Sequence, residues 1–371
     1  MAVFVYGTLM SSDLFIAVAG GQTSGPIPAQ LDGYSRKSVA QNVVPFITPD
    51  DQSQIAGLLW SDLNPDQIAR LDLYERAFGY WTQTVQVTVA TGVVQATCYM
   101  PPDGIVASDA PWSLSAWEAD HLAPALLAAA EVFSHDPPPD PDALRRMWPM
   151  VEARAWAKHR AKAAPATLRH ARQADDIAVV TARPPQGGFF RLQDFDVHHA
   201  RFDGHRSPIL HREVFIAVDA AFLLPYDPFR DKVALIEQVR MGPLMRHDHN
   251  PWMLEPVAGI VDARESPEQA ARRETFEEAG LTLDRLEPIS AFYASPGSST
   301  DYFYCYAGLC DLPQTEAYFG GLAAESEDIR VHPLSFDRAM ALADSGEIQT
   351  GPLILILNWL ARHRDRLRAM A

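Results

Sequence analysis

The stretch from Gly259 to Leu281, GIVDARESPEQAARRETFEEAGL, constrains this chain more than any other. Ser266-Pro267 opens a helix, since serine is a favoured cap and proline is tolerated in the first turn, where its missing N–H has no helical partner to lose. Gly280 closes the helix as a left-handed cap. Glu274, Glu277 and Glu278 stand three and four residues apart, so their carboxylates share one helical face. Like charges at that spacing repel, and a protein that stacks them has to neutralise them with a cation. Hard oxygen donors favour magnesium or manganese over zinc. Glu265, just ahead of the helix, joins or orients the cluster. Three glutamates alone would equally describe a solvated acidic helix; the spacing of the whole run separates the two.

At 371 residues the chain has room for two or three domains, each able to bury a core. With 47% hydrophobic and 21% charged residues it reads as soluble and globular. The net charge of -16 and the lack of a basic stripe argue against a nucleic-acid surface. An anionic nucleotide remains a suitable substrate, because carboxylate-bound cations supply local positive charge. Cys98, Cys305 and Cys310 form neither a disulfide framework nor a zinc spacing, which fits a reducing cytoplasm; Cys305 and Cys310 read as core-filling. The start, MAVFVYGTLM, enters a strand-like run without a signal-peptide pattern, and Leu353 to Leu360 is too short to span a bilayer. No membrane association is expected.

Three segments differ in character. Residues 1–110 are strand-rich (Val3 to Tyr6, Ile55 to Trp60, Thr84 to Val89, Val93 to Tyr99), with one helix from Asn64 to Tyr74. Residues 111–175 form a helical connector: Trp112 to Phe133 and Asp142 to Arg172 have helical composition, separated by the proline-rich HDPPPDPD. In residues 176–371 strands are expected at Ile177 to Thr181, Val214 to Leu223, Lys232 to Val239, Ile289 to Tyr293 and Asp301 to Tyr306. Helices are expected at Phe336 to Ala343 and Pro352 to Arg366. Strands and helices without strict alternation predict an α+β chain.

The run from Gly259 resembles the Nudix hydrolase signature at every charged and glycine position: Gly259, Glu265, Arg273-Glu274, Glu277-Glu278 and Gly280-Leu281. Two positions depart from it. Thr275 stands where an aliphatic residue is preferred, and Arg264 where glycine is common. The segments LLPYDPFRDKVALIEQVR, PWMLEPVAGIVD, ASPGSSTDY and AAESEDIRVHPL resemble the bacterial ADP-ribose pyrophosphatase subfamily, and Pro296 matches its substrate-associated proline. This resemblance implies an α/β/α sandwich and magnesium-dependent hydrolysis of ADP-ribose to AMP and ribose 5-phosphate. It implies metal binding by the Ala258 carbonyl, Glu274, Glu277, Glu278 and Glu327, with Glu278 also catalytic. Arg240 and Glu255 would contact substrate together with Pro296, and Glu325 would be the general base. It also implies a homodimer. ADP-sugars are alternative substrates. A non-catalytic nucleotide sensor is the competing class, and it would be expected to lose glutamates that this chain retains.

The N-terminal YGTL turn (Tyr6 to Leu9), Gly33-Tyr34, Gly57-Leu58 and the LDLYE segment ending at Glu75 together resemble the γ-glutamylcyclotransferase-like family over residues 2 to 101. This implies a small mixed β-barrel in which Tyr6, Gly7, Thr8 and Leu9 cradle the substrate. Glu75 would move the proton as an amine attacks its own γ-carbonyl and closes 5-oxoproline. Thr82 replaces an arginine of many relatives, so a non-catalytic binding or scaffold module stays open. The two-domain arrangement looks like bacterial proteins associated with tellurite resistance, although no tellurium chemistry follows from these residues.

Overall fold

Period-two burial along the first hundred residues closes a barrel. The computed structural model describes residues 1–370 except 22, 41, 109 and 162–164. Strands β1 (Val3–Val5), β2 (Ile27–Val39), β3 (Pro45–Trp60), β4 (Trp81–Val89) and β5 (Gly92–Met100) run in the order β3-β1-β5-β4-β2, and a β2–β3 pairing completes the ring. A short β6 (Ala107–Ser108) pairs with the end of β2. Phe4, Tyr6, Leu31, Val85, Val87 and Cys98 point into one core. Val3, Val5 and Trp60 face the other way, onto helices α1 (Ser12–Ala19) and α2 (Pro65–Ala77). The pairing of β2 with β3 shifts register between Asp32 and Tyr34, whose partners are Gln54 and Pro49, so the extra residues belong to β3, and Gly33 takes a φ of 80° opposite them.

Helices α3 (Leu114–Val132) and α4 (Pro141–Arg160) pack on this barrel's helices, burying Ala77, Ala128, Val132, Leu144 and Val151 together. Helices α3 and α4 therefore add to the core of the first unit. Helix α4 stops at Arg160, short of the expected Arg172, because Ala161 leaves helical space at ψ 102°. A buried ion pair, Arg154 to Glu131 at 2.9 Å, ties α4 to α3. Strands β7 (Ile177–Ala182) and β8 (Arg191–His199) pair antiparallel. The chain divides into two units, Met1–Phe189 with Gln193–His211, and Phe190–Leu192 with Arg212–Ala371.

Strand β9 (Leu210–Ile216) leads into the second unit. The single strand expected from Val214 to Leu223 is broken there, since Ala217 N donates to Thr300 Oγ1 and pairing restarts at β10 (Asp219–Asp227). An eight-stranded sheet follows, built from β10, β11 (Lys232–Val239), β12 (Trp252–Glu255), β13 (Val257–Ile260), β14 (Arg285–Tyr293), β15 (Tyr302–Leu309), β16 (Tyr318–Gly320) and β17 (Ile329–Ser335). A short α5 (Met241–Met245) follows β11. Along β11, Ala234 and Ile236 pack towards α6 (Pro267–Ala279), while Val233 and Leu235 pack towards α7 (Phe336–Ser345) and α8 (Gly351–Arg368). The sheet is thus covered on both faces, as an α/β/α sandwich requires. No helix among the described residues is long and apolar enough to cross a membrane.

Candidate active site

The glutamate face of α6 lies against β13. Ser266 and Gln269 form a reciprocal capping box at one end of the helix, and Gly280 (φ 63°) caps the other. Glu278 is 2% exposed, and its Oε2 accepts the Ala258 N–H at 2.9 Å, which sets this carboxylate beside the Ala258 peptide. Burial is the main cause that raises the Glu278 acid to about 8; Glu274 and Glu327 add repulsion, and the Ala258 amide and Arg240 oppose it. Burial likewise raises Glu274 to about 7, against Arg273, with Glu277 and Glu327 pushing it higher. Buried carboxylates that repel one another and meet too little positive charge are a fit donor set for a divalent cation.

Among the described residues, Arg273 is the cation hydrogen-bonded to Glu265, Glu274 and Glu277 of this cluster. Its Nη1 donates to Glu274 at 2.6 Å and to Glu277 at 2.9 Å. Its Nε and Nη2 hold both oxygens of Glu265 at 3.1 and 3.0 Å, and Nη2 also reaches the Ile260 carbonyl at 3.1 Å. Although burial disfavours its charge, hydrogen bonds and the charges of Glu265 and Glu274 outweigh that and raise its pKa. At the edge, Arg240 Nε donates to Glu255 at 2.7 Å.

The loop after β16 docks onto the same helix. Gly321 N donates to the Glu277 carbonyl at 3.2 Å, and a Cβ on Gly320 would come within 1.9 Å of the Glu278 carbonyl. Glu327 folds back to accept the Leu322 N–H at 3.0 Å, which leaves it within electrostatic reach of Glu274 and Glu278. Glu325 ends a 3-10 turn (Ala323–Glu325) and is exposed. Pro296 is exposed on the β14–β15 loop. Among the described residues no hydrogen bond joins the backbone of Glu325 or Pro296 to the glutamate cluster.

In the barrel, Tyr6 is buried and its hydroxyl donates to the Tyr99 carbonyl at 2.8 Å. Leu9 is buried in the core, so only its backbone can serve a ligand. Glu75 stands in the last turn of α2, partly exposed yet enclosed by protein, and burial raises it to about 8. Its charge reaches Tyr6, Tyr80 and Cys98. Thr82 is exposed at the start of β4.

Residues 218–345 match the family described as NUDIX domain. The ADP-ribose pyrophosphatase of Escherichia coli (strain K12) is 39% identical over 194 residues, which are 52% of this chain and 92% of that protein. The chain belongs to the Nudix hydrolases. A second ADP-ribose pyrophosphatase, from Haemophilus influenzae, is 35% identical over 52% of this chain and 89% of its own length. The GDP-mannose pyrophosphatase of Salmonella arizonae is 30% identical over 50% of this chain and 95% of its own. Residues 3–119 match the family described as Gamma-glutamyl cyclotransferase, AIG2-like.

Both departures from the Nudix signature have local explanations. Arg264 takes a φ of 67°, the left-handed conformation that makes glycine common there. Thr275 is fully buried on the packing face of the Nudix helix, and its hydroxyl is satisfied by the Ala271 carbonyl at 2.7 Å. Two features escaped the sequence reading: the Arg273 hub, whose signature position named no partners, and the Gly320-Gly321 seat, signalled only by a glycine pair. Gly259 has a steric role, since a Cβ there would lie 1.9 Å from Glu274 Oε1. Gly259→Ala is expected to displace Glu274 and lower both metal affinity and turnover, about 10- to 100-fold. Unchanged metal titration in that variant would remove the cradle argument.

Proposed function

We propose that the Nudix unit hydrolyses the diphosphate of ADP-ribose in the presence of magnesium, releasing AMP and ribose 5-phosphate. The observation that carries this reading is the 39% identity to an ADP-ribose pyrophosphatase across 92% of that protein. The 30% identity to a GDP-mannose pyrophosphatase supports a second reading, a nucleoside diphosphate sugar as substrate.

Glu274, Glu277, Glu278, Glu327 and the Ala258 carbonyl would hold magnesium, and manganese suits the same donors. When bound, such a metal neutralises diphosphate oxygens and lowers the pKa of the water it holds. Arg240 is suited to the diphosphate: Glu255 accepts from its Nε, and its forked Nη groups match phosphate oxygens. Pro296, exposed on the β14–β15 loop, would contact the substrate, as its match to the substrate-associated proline implies. Glu325, exposed on the turn that follows the Gly320-Gly321 seat, takes the proton from the attacking water.

Kinetics of the full chain on ADP-ribose, ADP-glucose and GDP-mannose, with product identification, test the substrate. The highest kcat/KM is expected for ADP-ribose; a preference for GDP-mannose transfers the proposal to the second reading. Glu325→Gln is expected to lower kcat about 10²- to 10⁴-fold while leaving metal affinity intact. An unchanged rate moves the base to Glu327.

The barrel is proposed as a γ-glutamyl cyclotransferase with Glu75 as proton carrier. The supporting observation is a carboxylate held to about 8 by burial, within range for general acid–base work near neutrality. Release of 5-oxoproline from γ-glutamyl amines, lost in Glu75→Gln, is the expected result; no release leaves a binding module. A cytoplasmic homodimer completes the proposal, with the exposed Ile177, Val179 and Val180 of β7 as apolar surface for a second copy.

A further inference from the structure

Arg36, on β2, is a partly buried cation without a counter-charge. Its Nε is shielded from solvent and has no hydrogen-bond partner. Its Nη2 donates to the Ala56 carbonyl and lies 3.7 Å from Met10 Sδ, and its Cζ stands 5.6 Å from the centroid of the Trp112 ring. Among the described residues no carboxylate pairs with it. A guanidinium left this way is costly unless something anionic arrives.

The carbonyl it occupies gives the location. Strands β1 and β3 pair Val3 with Trp60 and Val5 with Leu58. One further step would set Gly7 against Ala56, but the chain turns away at Gly7 into the 3-10 turn Thr8–Met10. Within that turn Met10 N and Ser11 N are used internally, at 2.9 Å to Gly7 O and 3.0 Å to Thr8 O, whereas the Gly7 and Thr8 amides donate to no backbone acceptor among the described residues. Arg36 takes the carbonyl that the ladder leaves behind. Its planar fork therefore occupies the ladder position that Gly7 leaves and reaches Met10 of the same turn, so guanidinium and turn amides together make a donor set matched to a carboxylate. The Tyr6 phenol feels the charges of both Arg36 and Glu75, so both belong to the neighbourhood of one side chain inside the barrel.

We propose that Arg36, beside the Gly7 and Thr8 amides, is the residue by which the barrel selects a small molecule carrying a carboxylate. This rests on the reading of the barrel as a small-molecule site, not on turnover there. With Thr82 exposed where many relatives are expected to carry an arginine, Arg36 supplies the positive charge from a different strand. Glu75, mostly protonated at neutral pH, neither repels such an anion nor neutralises the guanidinium.

The test is calorimetric titration of the full chain with 5-oxoproline, a lactam carboxylate, and with its neutral carboxamide. The carboxylate is expected to bind at least about tenfold tighter. Arg36→Gln is expected to erase that preference while leaving carboxamide binding in place, and Glu75→Gln to retain the preference. Equal affinities in the unaltered chain, binding of neither compound, or a preference that survives Arg36→Gln overturns the proposal. Should Arg36→Gln not fold, the comparison on the unaltered chain decides alone. A carboxylate preference without 5-oxoproline release from γ-glutamyl amines leaves this inference standing and removes the cyclotransferase. Release with a KM unchanged by Arg36→Gln does the reverse.

Discussion

Replacing Glu274 and Glu278 together by glutamine is expected to abolish magnesium-dependent diphosphate hydrolysis, a fall of at least about a thousandfold in kcat. Metal ions supply several kcal/mol of transition-state charge stabilisation, and about 4 kcal/mol corresponds to that factor. Glutamine keeps the shape of each side chain, and its carbonyl can still accept the Ala258 N–H that Glu278 now accepts at 2.9 Å. The variant should therefore fold. It should also be no less stable in the absence of metal, and the sign can be worked out. Glu278 is raised from 4.5 to about 8 in the folded protein. A raised acid contributes stability that is complete below its unfolded pKa and is lost as pH rises through the folded value. Above pH 8 the wild-type chain has lost that contribution, whereas the neutral glutamine has none to lose. Activity and stability thus part company: hydrolysis disappears, the metal-free melting temperature holds or rises, and the increase in melting temperature on adding magnesium vanishes. Full activity in the purified double variant would sink the metal-ligand assignment.

The α6 region was the most legible part of the chain because its physics is local. Ser266, Pro267, Gln269 and Gly280 act within one turn of themselves, and the spacing of the three glutamates is a property of any helix. Strand β11 agreed to the residue, Lys232–Val239, because a short apolar run buried on both faces has sharp ends. Strand β2 was missed. Its register with β3 shifts at Gly33, and the residues that the shift adds belong to β3, so the irregularity leaves no signature in the hydrophobic pattern of β2 itself. Longer-range facts were invisible for the same reason. The reach of Arg36 to Ala56, the seat of Gly321 on the Glu277 carbonyl and the burial of Glu75 all depend on pairs distant in sequence. Motif resemblance could name Glu327 as acidic, but only the fold turns its carboxylate onto the Leu322 amide and towards Glu274 and Glu278, while Glu325 stays exposed.

Arg273→Met is the second large effect expected, and it separates architecture from chemistry. The guanidinium bonds Glu265, Glu274 and Glu277 and also reaches the Ile260 carbonyl. Methionine fills part of the volume and makes none of those bonds. Three carboxylates, each mostly sheltered, then lose their shared cation, a situation that costs about 2–4 kcal/mol when one partner of a sheltered ion pair is removed. The loss should depend on pH. Without Arg273 the main opposition to the raised Glu274 acid is gone, so its folded pKa moves above the present value of about 7. By the same sign rule, stability is retained in mild acid, where the carboxylates take up protons, and falls as pH rises through the folded value. Melting temperatures of the variant should therefore approach wild type near pH 5 and fall well below it at pH 8, and magnesium should recover part of the difference at pH 8 by replacing the missing charge. Hydrolysis should drop even with saturating metal, because the glutamates are no longer held in one arrangement. An equal loss of stability at both pH values would mean that Arg273 acts by packing alone, and the metal-independent role of the hub would have to be given up.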